Sequence, residues 1–237
     1  MRALVDAVLS VLLAPSCAAC QQPLAHPTRG CVCPACWDQV VPLHVPLCAR
    51  CGGPLPSCPS LLVCPACVHS TSLVTCARAV GPHTGTLRAI VHALKYDGRR
   101  SLARPLASRM RKAGTDILHG CAVAVPVPLH SARRRARGFN QACDLASHLG
   151  LPVVHALRRT RSTHTQTTLP AEARRANVAH AFAATRRVTA LRGATVLLVD
   201  DVRTTGATLE ACAEALHGAG VGEVRALTAA RVETPGG

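Results

Sequence analysis

Two adjacent carboxylates and a run of hydroxyl-bearing residues lie close together near the C-terminal end of the chain. Asp200 and Asp201 are followed, after two residues, by the segment TTGAT at residues 204–208. Carboxylates accept hydrogen bonds from sugar hydroxyls and coordinate cations, whereas threonine hydroxyls and the backbone N–H groups that open a helix bind phosphate. The pattern therefore indicates a site for a phosphorylated sugar. An ordinary strand-to-helix turn with a threonine cap is the alternative.

The flanking residues predict the elements that position these groups. Residues 196–199 form an apolar run that is too short for a helix and rich in β-branched side chains, as in a buried parallel strand. Beyond the turn, Leu209, Cys212 and Leu216 recur at helical spacing. The chain should therefore run from a strand, with the two carboxylates at its end, through a tight loop into a helix. Ligands of open α/β sheets bind beyond the carboxyl ends of the strands, where this loop would lie.

The segment VLLVDDVRTTGAT, residues 196–208, resembles the diphosphoribosyl-binding motif of type I phosphoribosyltransferases. The chain as a whole resembles the ComF family of competence-associated, phosphoribosyltransferase-like proteins. This resemblance implies that Asp200 and Asp201 are catalytic residues that hold the ribose hydroxyls of phosphoribosyl diphosphate. It also implies that the turn binds the 5-phosphate through Thr204, Thr205, Gly206, Ala207 and Thr208. Arg203 departs from the family pattern, which commonly has an apolar residue there; it either adds a phosphate contact or is merely exposed.

A second charged segment follows another predicted strand. Residues 122–127 predict a buried strand, and residues 129–141 contain the densest positive charge in the chain. Because the carboxyl ends of parallel strands meet at one edge of a sheet, this loop should lie on the same rim as the two carboxylates. A solvated run of charge is the alternative. Asn140 could also act locally, as the cap of a helix over residues 141–148.

The order VPVPLH and then RRRARGFNQ within this region matches the pattern of ComF proteins. In the related transferases, the turn after this strand holds the pyrophosphate. The resemblance therefore implies that the backbone around residues 127–130, including Val127 and Pro128, contacts the pyrophosphate. Arg133 and Arg137 are the side chains expected to add further phosphate contacts.

A helix before this strand ends with a further cation. Leu87, Ile90 and Leu94 predict one apolar helical face, with Thr84 as the cap. Lys95 lies at the end of this helix, in a Lys-Tyr pair that ComF proteins share. By the resemblance, Lys95 faces the ligand phosphates. A solvated lysine that complements the helix dipole is the alternative.

Residues 158–170 are polar and poor in apolar anchors, as is typical of a lid on a catalytic rim. Type I phosphoribosyltransferases carry a mobile hood at this place, and the pattern R-x-T-x-x-Q-T matches ComF proteins. Arg161, Thr163 and Gln166 are therefore candidates for the hood or the acceptor site. No residue of the chain indicates which base would be the acceptor.

An internal repeat of cysteines occupies residues 17–67. The first set is Cys17, Cys20, Cys33 and Cys36, and the same spacing returns in Cys48, Cys51, Cys64 and Cys67. Two C-x-x-C knuckles supply four thiolates in a tetrahedron, which is the geometry of structural zinc. Each set could bind its own zinc, or the knuckles of the two sets could interleave, with Cys31 and Cys58 as substitutes. The repeat resembles the double zinc ribbon of longer ComF proteins; disulfides are the alternative.

The chain has 237 residues, a net charge of +15 and only 2% aromatic residues, so its core must be aliphatic. The charge favours polyanionic partners, either nucleic acid or phosphorylated metabolites, although a codon bias toward arginine would also produce it. Residues 1–16 predict an amphipathic helix and not a signal peptide, because Asp6 interrupts the apolar run and Cys17 belongs to the repeat. Since no apolar stretch is long enough to span a bilayer, we expect a cytoplasmic protein.

These features predict an α/β fold, with a mostly parallel sheet flanked by helices at residues 71–237 and a small zinc-ribbon domain at residues 17–70. Two functions fit. The first is a phosphoribosyltransferase, of the glycosyltransferase class, that uses phosphoribosyl diphosphate with Mg²⁺ and a nitrogen acceptor. The second is a non-catalytic module that binds single-stranded DNA during uptake or recombination, alongside competence or helicase partner proteins. The scarcity of aromatic residues weakens base stacking but leaves backbone contact open.

Overall fold

The computed structural model describes residues 2–56, 62–161 and 180–233. It has the α/β architecture that the sequence predicts. The strands are β1 (Cys76–Pro82), β2 (Val123–Pro126), β3 (Leu157–Arg159), β4 (Phe182–Ala184), β5 (Thr195–Arg203) and β6 (Glu223–Arg231). The helices are α1 (Arg2–Leu13), α2 (Pro34–Asp38), α3 (Pro65–Val68), α4 (Gly85–Tyr96), α5 (Ala103–Ala113), α6 (Thr115–Leu118), α7 (Ser131–Arg137), α8 (Gln141–Ala146) and α9 (Ala207–His217).

Four parallel strands form the main sheet, in the order β1-β6-β5-β2. The strands β3 and β4 pair antiparallel in a separate small sheet. Because the four long strands run the same way, their carboxyl ends share one rim. The two carboxylates, the start of α9 and the segment after β2 all lie at that rim, as the sequence predicts.

The strand that carries the carboxylates is longer than the sequence predicts. β5 extends to Arg203, so Asp200 and Asp201 lie within it and not beyond its end. The reason is that the two neighbouring strands differ in length. The pairing of β5 with β2 stops at Val199, whereas its pairing with β6 continues to Arg203. The carboxylates therefore lie on a part of β5 that is paired on one edge only, at an open step in the sheet.

Both faces of the main sheet are covered, as expected for parallel strands. Along β5, Leu197 and Val199 belong to the cluster packed by α4, α5 and α8, and Val196 and Leu198 belong to the cluster packed by α9 and the β3–β4 pair. The largest fully buried side chains are leucine, isoleucine, valine and Met110, which confirms the aliphatic core. Burial of each such side chain stabilises the fold by roughly 1.5–3 kcal/mol.

The arginine-rich segment predicted as a loop is partly a helix. Ser131–Arg137 forms α7, because arginine and alanine are good helix formers, and Gly138 ends it in a left-handed conformation with φ of 78°. The Nδ1 atom of His130 accepts a hydrogen bond from the N–H of Ala132 at 3.3 Å and caps its start. Asn140 caps α8 as predicted, since its side-chain oxygen accepts from the Ala142 N–H at 3.0 Å.

The helix α1 is anchored by the residue that interrupts its apolar run. Asp6 is buried, and its carboxylate accepts a hydrogen bond from the Thr28 N–H at 2.9 Å and lies 3.4 Å from His26. The Thr28 N–H bond and burial act in opposite directions, and the net result lowers the pKa of Asp6. In the part of the chain that the structure describes, no helix has the length and apolarity needed to cross a bilayer.

Candidate functional site

The two adjacent carboxylates are not equivalent. Successive side chains of a strand point to opposite faces, so Asp200 and Asp201 diverge. Asp201 is only 4% exposed, and its Oδ1 atom lies 2.9 Å from the Nζ atom of Lys95, at the end of α4. Its other oxygen is buried without a hydrogen-bond partner among the described residues. Asp200 keeps part of its surface accessible, and its Oδ1 accepts from the Asp201 N–H at 2.8 Å.

Burial and the neighbouring negative charge of Asp201 raise the pKa of Asp200 to about 7. The Asp201 N–H bond and the positive charges of Lys95 and Arg159 oppose this rise but do not cancel it. An Asp200 carboxylate that meets a cation or a sugar hydroxyl here would gain more than an exposed one, because its own surroundings solvate it poorly.

The turn after β5 has free backbone donors. Gly206 takes a left-handed conformation with φ of 83° and precedes the first residue of α9. The Ala207 N–H donates to the Thr205 hydroxyl at 3.4 Å, which is a long bond. Within the described residues, no acceptor bonds the N–H groups of Thr204, Thr205, Gly206 or Thr208. These donors stand at the positive end of an eleven-residue helix, in the arrangement that binds phosphate.

Lys95 forms an ion pair with a carboxylate of the protein. It lies at the end of α4, whose apolar face of Leu87, Ile90 and Leu94 is buried as predicted. Thr84 does precede this helix, but its side chain makes no capping hydrogen bond. The ion pair with Asp201 rules out a merely solvated helix end, and the contact of Lys95 with ligand phosphates stays a prediction.

His83 is a rim residue that sequence reasoning missed. It directly follows β1, and its N–H donates to the Arg231 carbonyl at 2.6 Å. Burial lowers the pKa of His83, and the positive charges of Lys95 and Arg88 act in the same direction. Because His83 follows the carboxyl end of β1, the tendency of ligands to bind beyond the carboxyl ends of parallel strands would have identified it.

The predicted pyrophosphate contact of residues 127–130 does not extend to N–H groups of Val127 and Pro128. The Val127 N–H already donates to the Val199 carbonyl at 2.9 Å, and the Val127 carbonyl accepts from the Asn140 amide at 3.0 Å. Pro128 has no N–H to offer. The backbone of these two residues therefore closes the sheet edge, and phosphate donors can come only from the residues that follow.

Arg137 turns toward α4 and α8. Its Nη1 atom donates to the Gln141 side chain at 2.5 Å, and its guanidinium lies 5.0 Å from the centre of the Tyr96 ring. It therefore lies beside the end of α4 that carries Lys95. Arg133 is close enough to Arg159 for their charges to interact.

Arg159 is a second missed residue, and it corrects the predicted lid. The first part of residues 158–170 continues β3, which pairs with β4, and so is not a loop. Burial lowers the pKa of Arg159, whereas the charge of Asp200 raises it, so this cation lies near the candidate carboxylate. Arg161 is exposed, and Thr163 and Gln166 lie outside the described residues.

The eight repeated cysteines form two separate tetrads, which settles the pairing. The first tetrad is Cys17, Cys20, Cys33 and Cys36, and the second is Cys48, Cys51, Cys64 and Cys67; within each, the sulfur atoms lie within 4.8 Å of one another. Cys31 belongs to neither and lies 3.5 Å from the Ser101 hydroxyl, while Cys58 is outside the described residues.

Both tetrads suit a structural zinc ion. Backbone N–H groups point at equivalent sulfurs, from Cys33 to Cys17 and from Cys64 to Cys48, each at 3.3 Å. Four sulfur donors with N–H bonds to the thiolates fit zinc in a closed site, which has no open position for catalysis. We call residues 17–38, which end with α2, the first ribbon, and residues 48–68, which end with α3, the second ribbon.

Arg203 contacts the second ribbon. Its Nη1 atom donates to the Cys51 carbonyl at 2.8 Å and the side chain is half-buried, so Arg203 is not merely exposed; a phosphate contact by Arg203 stays a prediction. A groove of about 1310 Å³ lies between the second ribbon and the turn, and its walls include Arg50, Cys67, Thr204 and Thr205. The phosphate-type turn therefore forms part of a wall shared with the ribbon.

Comparisons with known proteins agree with these features. The family model "Phosphoribosyl transferase domain" matches residues 135–235, and "Double zinc ribbon domain" matches residues 8–68. Competence protein F of Haemophilus influenzae is 34% identical over 64% of this chain and 71% of that protein. DNA utilization protein YhgH is 33% identical in Salmonella typhi and in Escherichia coli K12; these alignments cover 58% and 61% of this chain and 64% and 65% of those proteins.

The chain thus spans slightly less than two thirds of the YhgH proteins. A solved structure described as "Structure of the allosteric regulatory enzyme of purine biosynthesis" is 20% identical, with a TM-score of 0.38 over 58% of this chain and 30% of that chain. At that score the likeness carries no argument about the site.

Proposed function

The chain belongs to the ComF family, and we propose that its rim binds phosphoribosyl diphosphate, or a related ribose 5-phosphate ligand, together with Mg²⁺. The observation that carries this proposal is the set of unbonded N–H groups in residues 204–208, next to a partly accessible carboxylate. A phosphate needs several such donors, and a ribose diol needs an acceptor a few ångströms away.

In this proposal the two aspartates have different roles. Asp200 accepts from the ribose hydroxyls or holds the cation, because, of the two aspartates, it has accessible surface and, among the described residues, no ion pair. Asp201 is held by Lys95 and fixes the backbone at the end of β5, so it acts as a positioning residue. A Mg²⁺ ion held by Asp200 would neutralise part of the pyrophosphate charge.

The reaction that fits this site is displacement at C1 of the ribose. A nitrogen lone pair of the acceptor forms the new C1–N bond, the C1–O bond breaks with its electron pair leaving on pyrophosphate, and the proton of the acceptor nitrogen passes to the released pyrophosphate or to water. Arg159, whose charge interacts with those of Asp200 and Arg133, is placed to offset negative charge on the leaving group. Arg161, Thr163 and Gln166 remain candidates for the acceptor side.

Titration calorimetry of the full chain with phosphoribosyl diphosphate and Mg²⁺ tests this proposal. We expect saturable binding that Asp200→Asn weakens by about tenfold or more, since a hydrogen bond to a charged group is lost. Asp116→Asn is the matched control, because Asp116 is an exposed aspartate of α6 that pairs with Arg78. The absence of binding by the unaltered protein would remove the proposal, and pyrophosphate release over a panel of bases would then test turnover.

A second proposed function is binding of single-stranded DNA in its uptake or recombination. It is favoured by the net charge of +15, by the exposed Arg134 and Arg135 on α7, and by the names of the relatives, competence protein F and DNA utilization protein. In this role a competence or helicase protein would be a partner. An affinity for DNA that did not fall as salt rises would exclude electrostatic binding.

Eight free thiols suited to zinc favour the cytoplasm as the location of this protein.

A further inference from the structure

One arginine touches both the second ribbon and the phosphate-type turn. Arg203, the last residue of β5, donates to the carbonyl of Cys51 in the second tetrad at 2.8 Å. On its other side, the guanidinium lies against Gly206: a Cβ added there would be 3.2 Å from the Nε atom. Gly206 is the residue whose left-handed conformation begins α9. Arg203 therefore connects a residue of the tetrad to the geometry of the turn.

A second arginine supports this connection. Arg231 lies directly opposite Arg203 in the register of β5 and β6. Its Nη1 atom is 3.5 Å from the Cys51 carbonyl and 3.8 Å from the Cys51 sulfur. A Cβ at Gly53 would collide with this guanidinium, so the ribbon backbone is fitted closely around it. Two half-buried cations therefore converge on one residue of an anionic thiolate site.

The first ribbon has a different setting. Cys17 and Cys36 belong to the same apolar cluster as Ile90, Leu106 and Met110. Among the described residues, one guanidinium lies over an aromatic ring of this ribbon. It is that of Arg109, over Trp37, on the side of α5 and not at the rim. In the part of the chain that the structure describes, the first ribbon is thus joined to the body by apolar packing, whereas the second is joined to the turn.

We propose that Arg203 and Arg231 are positioning residues that couple the metal occupancy of the second tetrad to the shape of the phosphate-type turn. A ribbon of about 20 residues has no core of its own, so its backbone is ordered by metal binding. An ordered Cys51 carbonyl holds Arg203, and Arg203 holds Gly206 in the conformation that presents the N–H donors. The inference rests on the proposed function for the identity of the ligand, but the coupling itself can be measured without any ligand.

Amide hydrogen exchange of the full chain measures the coupling directly. The variants Cys67→Ser and Cys36→Ser remove equivalent positions of the second and first tetrads. Local opening sets exchange in a turn, so we expect residues 204–209 to exchange at least about tenfold faster in Cys67→Ser and at the unaltered rate in Cys36→Ser. Equal exchange of the turn in both variants would overturn the inference.

Arg203→Ala separates the coupling from loss of the ribbon. We expect this variant to keep both metal ions by elemental analysis and still to show the faster turn exchange, with Arg203→Lys intermediate because it loses the planar fork. Arg78→Ala is the matched control: Arg78 also donates to a second-ribbon carbonyl, that of Ala49 at 3.1 Å, but it lies on β1. An Arg203→Ala turn that exchanges at the unaltered rate, or an Arg78→Ala turn that exchanges as fast, would contradict the proposal.

The same variants can also be compared for ligand binding. We expect Arg203→Ala to bind phosphoribosyl diphosphate about tenfold more weakly than the unaltered chain, with Arg78→Ala unchanged. If the unaltered chain does not bind this ligand, the proposed function fails while the exchange measurements still decide the coupling. If the ligand binds but all variants bind it equally, the proposed function stands and the coupling fails.

Discussion

Two ribbons with the same cysteine spacing are attached to the body of this protein by different physics. The first buries Cys17 and Cys36 in the aliphatic core beside α5, whereas the second is held by hydrogen bonds from β1, β5 and β6. Apolar burial stabilises a fold without regard to direction, while guanidinium contacts fix specific atoms. The difference teaches that one ribbon contributes mainly stability and that the other lies within reach of the candidate site.

The largest effect should come from removing equivalent thiols. We expect Cys17→Ser to lower the global free energy of unfolding by roughly 4 kcal/mol or more, and Cys48→Ser by less than about 2 kcal/mol. Among the described residues, the first ribbon shares the core, whereas the second has a small cluster of its own. Both thiols have no exposed surface, so burial of the substituted side chain is matched. Denaturant unfolding of the sheet measures this, and equal losses would break the comparison.

The next prediction concerns charged contacts, and it uses the Lys95–Asp201 ion pair. Lys95→Ala would leave the buried Asp201 carboxylate without its cation, which typically costs about 3–5 kcal/mol. The chain has one other lysine, Lys112, on the far part of α5, so Lys112→Ala is the natural control and should change stability by less than about 0.5 kcal/mol. Similar stability of the two variants would show that Lys95 does not hold Asp201.

The pH dependence of stability sharpens the same point. An unfolded aspartate loses its proton near pKa 3.8, but burial and Asp201 raise the pKa of folded Asp200 to about 7. Between these values the native state holds the extra proton, so stability falls as pH rises from about 4 to about 7. We expect Asp200→Asn to raise the melting temperature more at pH 8 than at pH 5 while weakening the ligand. An equal rise in melting temperature at both pH values would show that Asp200 behaves as a solvent-exposed aspartate.

The smallest effect concerns the contact that secures the first ribbon. Arg109 lies 3.9 Å from the centre of the Trp37 ring, and its replacement by alanine should cost about 0.5–2 kcal/mol. Trp37 is the single tryptophan of the chain, so its fluorescence reports the first ribbon alone. We expect Arg109→Ala to shift this emission at lower denaturant and to leave turn exchange unchanged, with Arg111→Ala, on the exposed side of α5, as the control.

Features set by local spacing were predictable from the sequence. The cysteine tetrads repeat at fixed intervals, the apolar face of α4 follows the helical period, and Asn140 caps the next helix by its position alone. The strand, turn and helix around residues 196–216 follow from the same kind of pattern. Each of these depends on neighbours a few residues apart, which a sequence displays directly.

Features set by distant partners were not predictable. β5 continues through the carboxylates because β6 is longer than β2, and Lys95 meets Asp201 because α4 packs on that face of the sheet. Arg203 contacts Cys51 only because the second ribbon folds back over the rim, and the Val127 N–H is bonded because β2 ends beside Val199. In each case the deciding contact joins residues far apart in the chain, which periodicity does not reveal.

Hydrogen exchange of the turn on addition of ligand tests the central claim most directly. The full chain would be compared with and without saturating phosphoribosyl diphosphate and Mg²⁺, with α5 as the internal reference. We expect the N–H groups of residues 204–209 to exchange at least about tenfold more slowly with the ligand, since the unbonded donors gain phosphate acceptors. Turn exchange that stays the same while the ligand is bound elsewhere would contradict the assignment of this rim as the phosphate site.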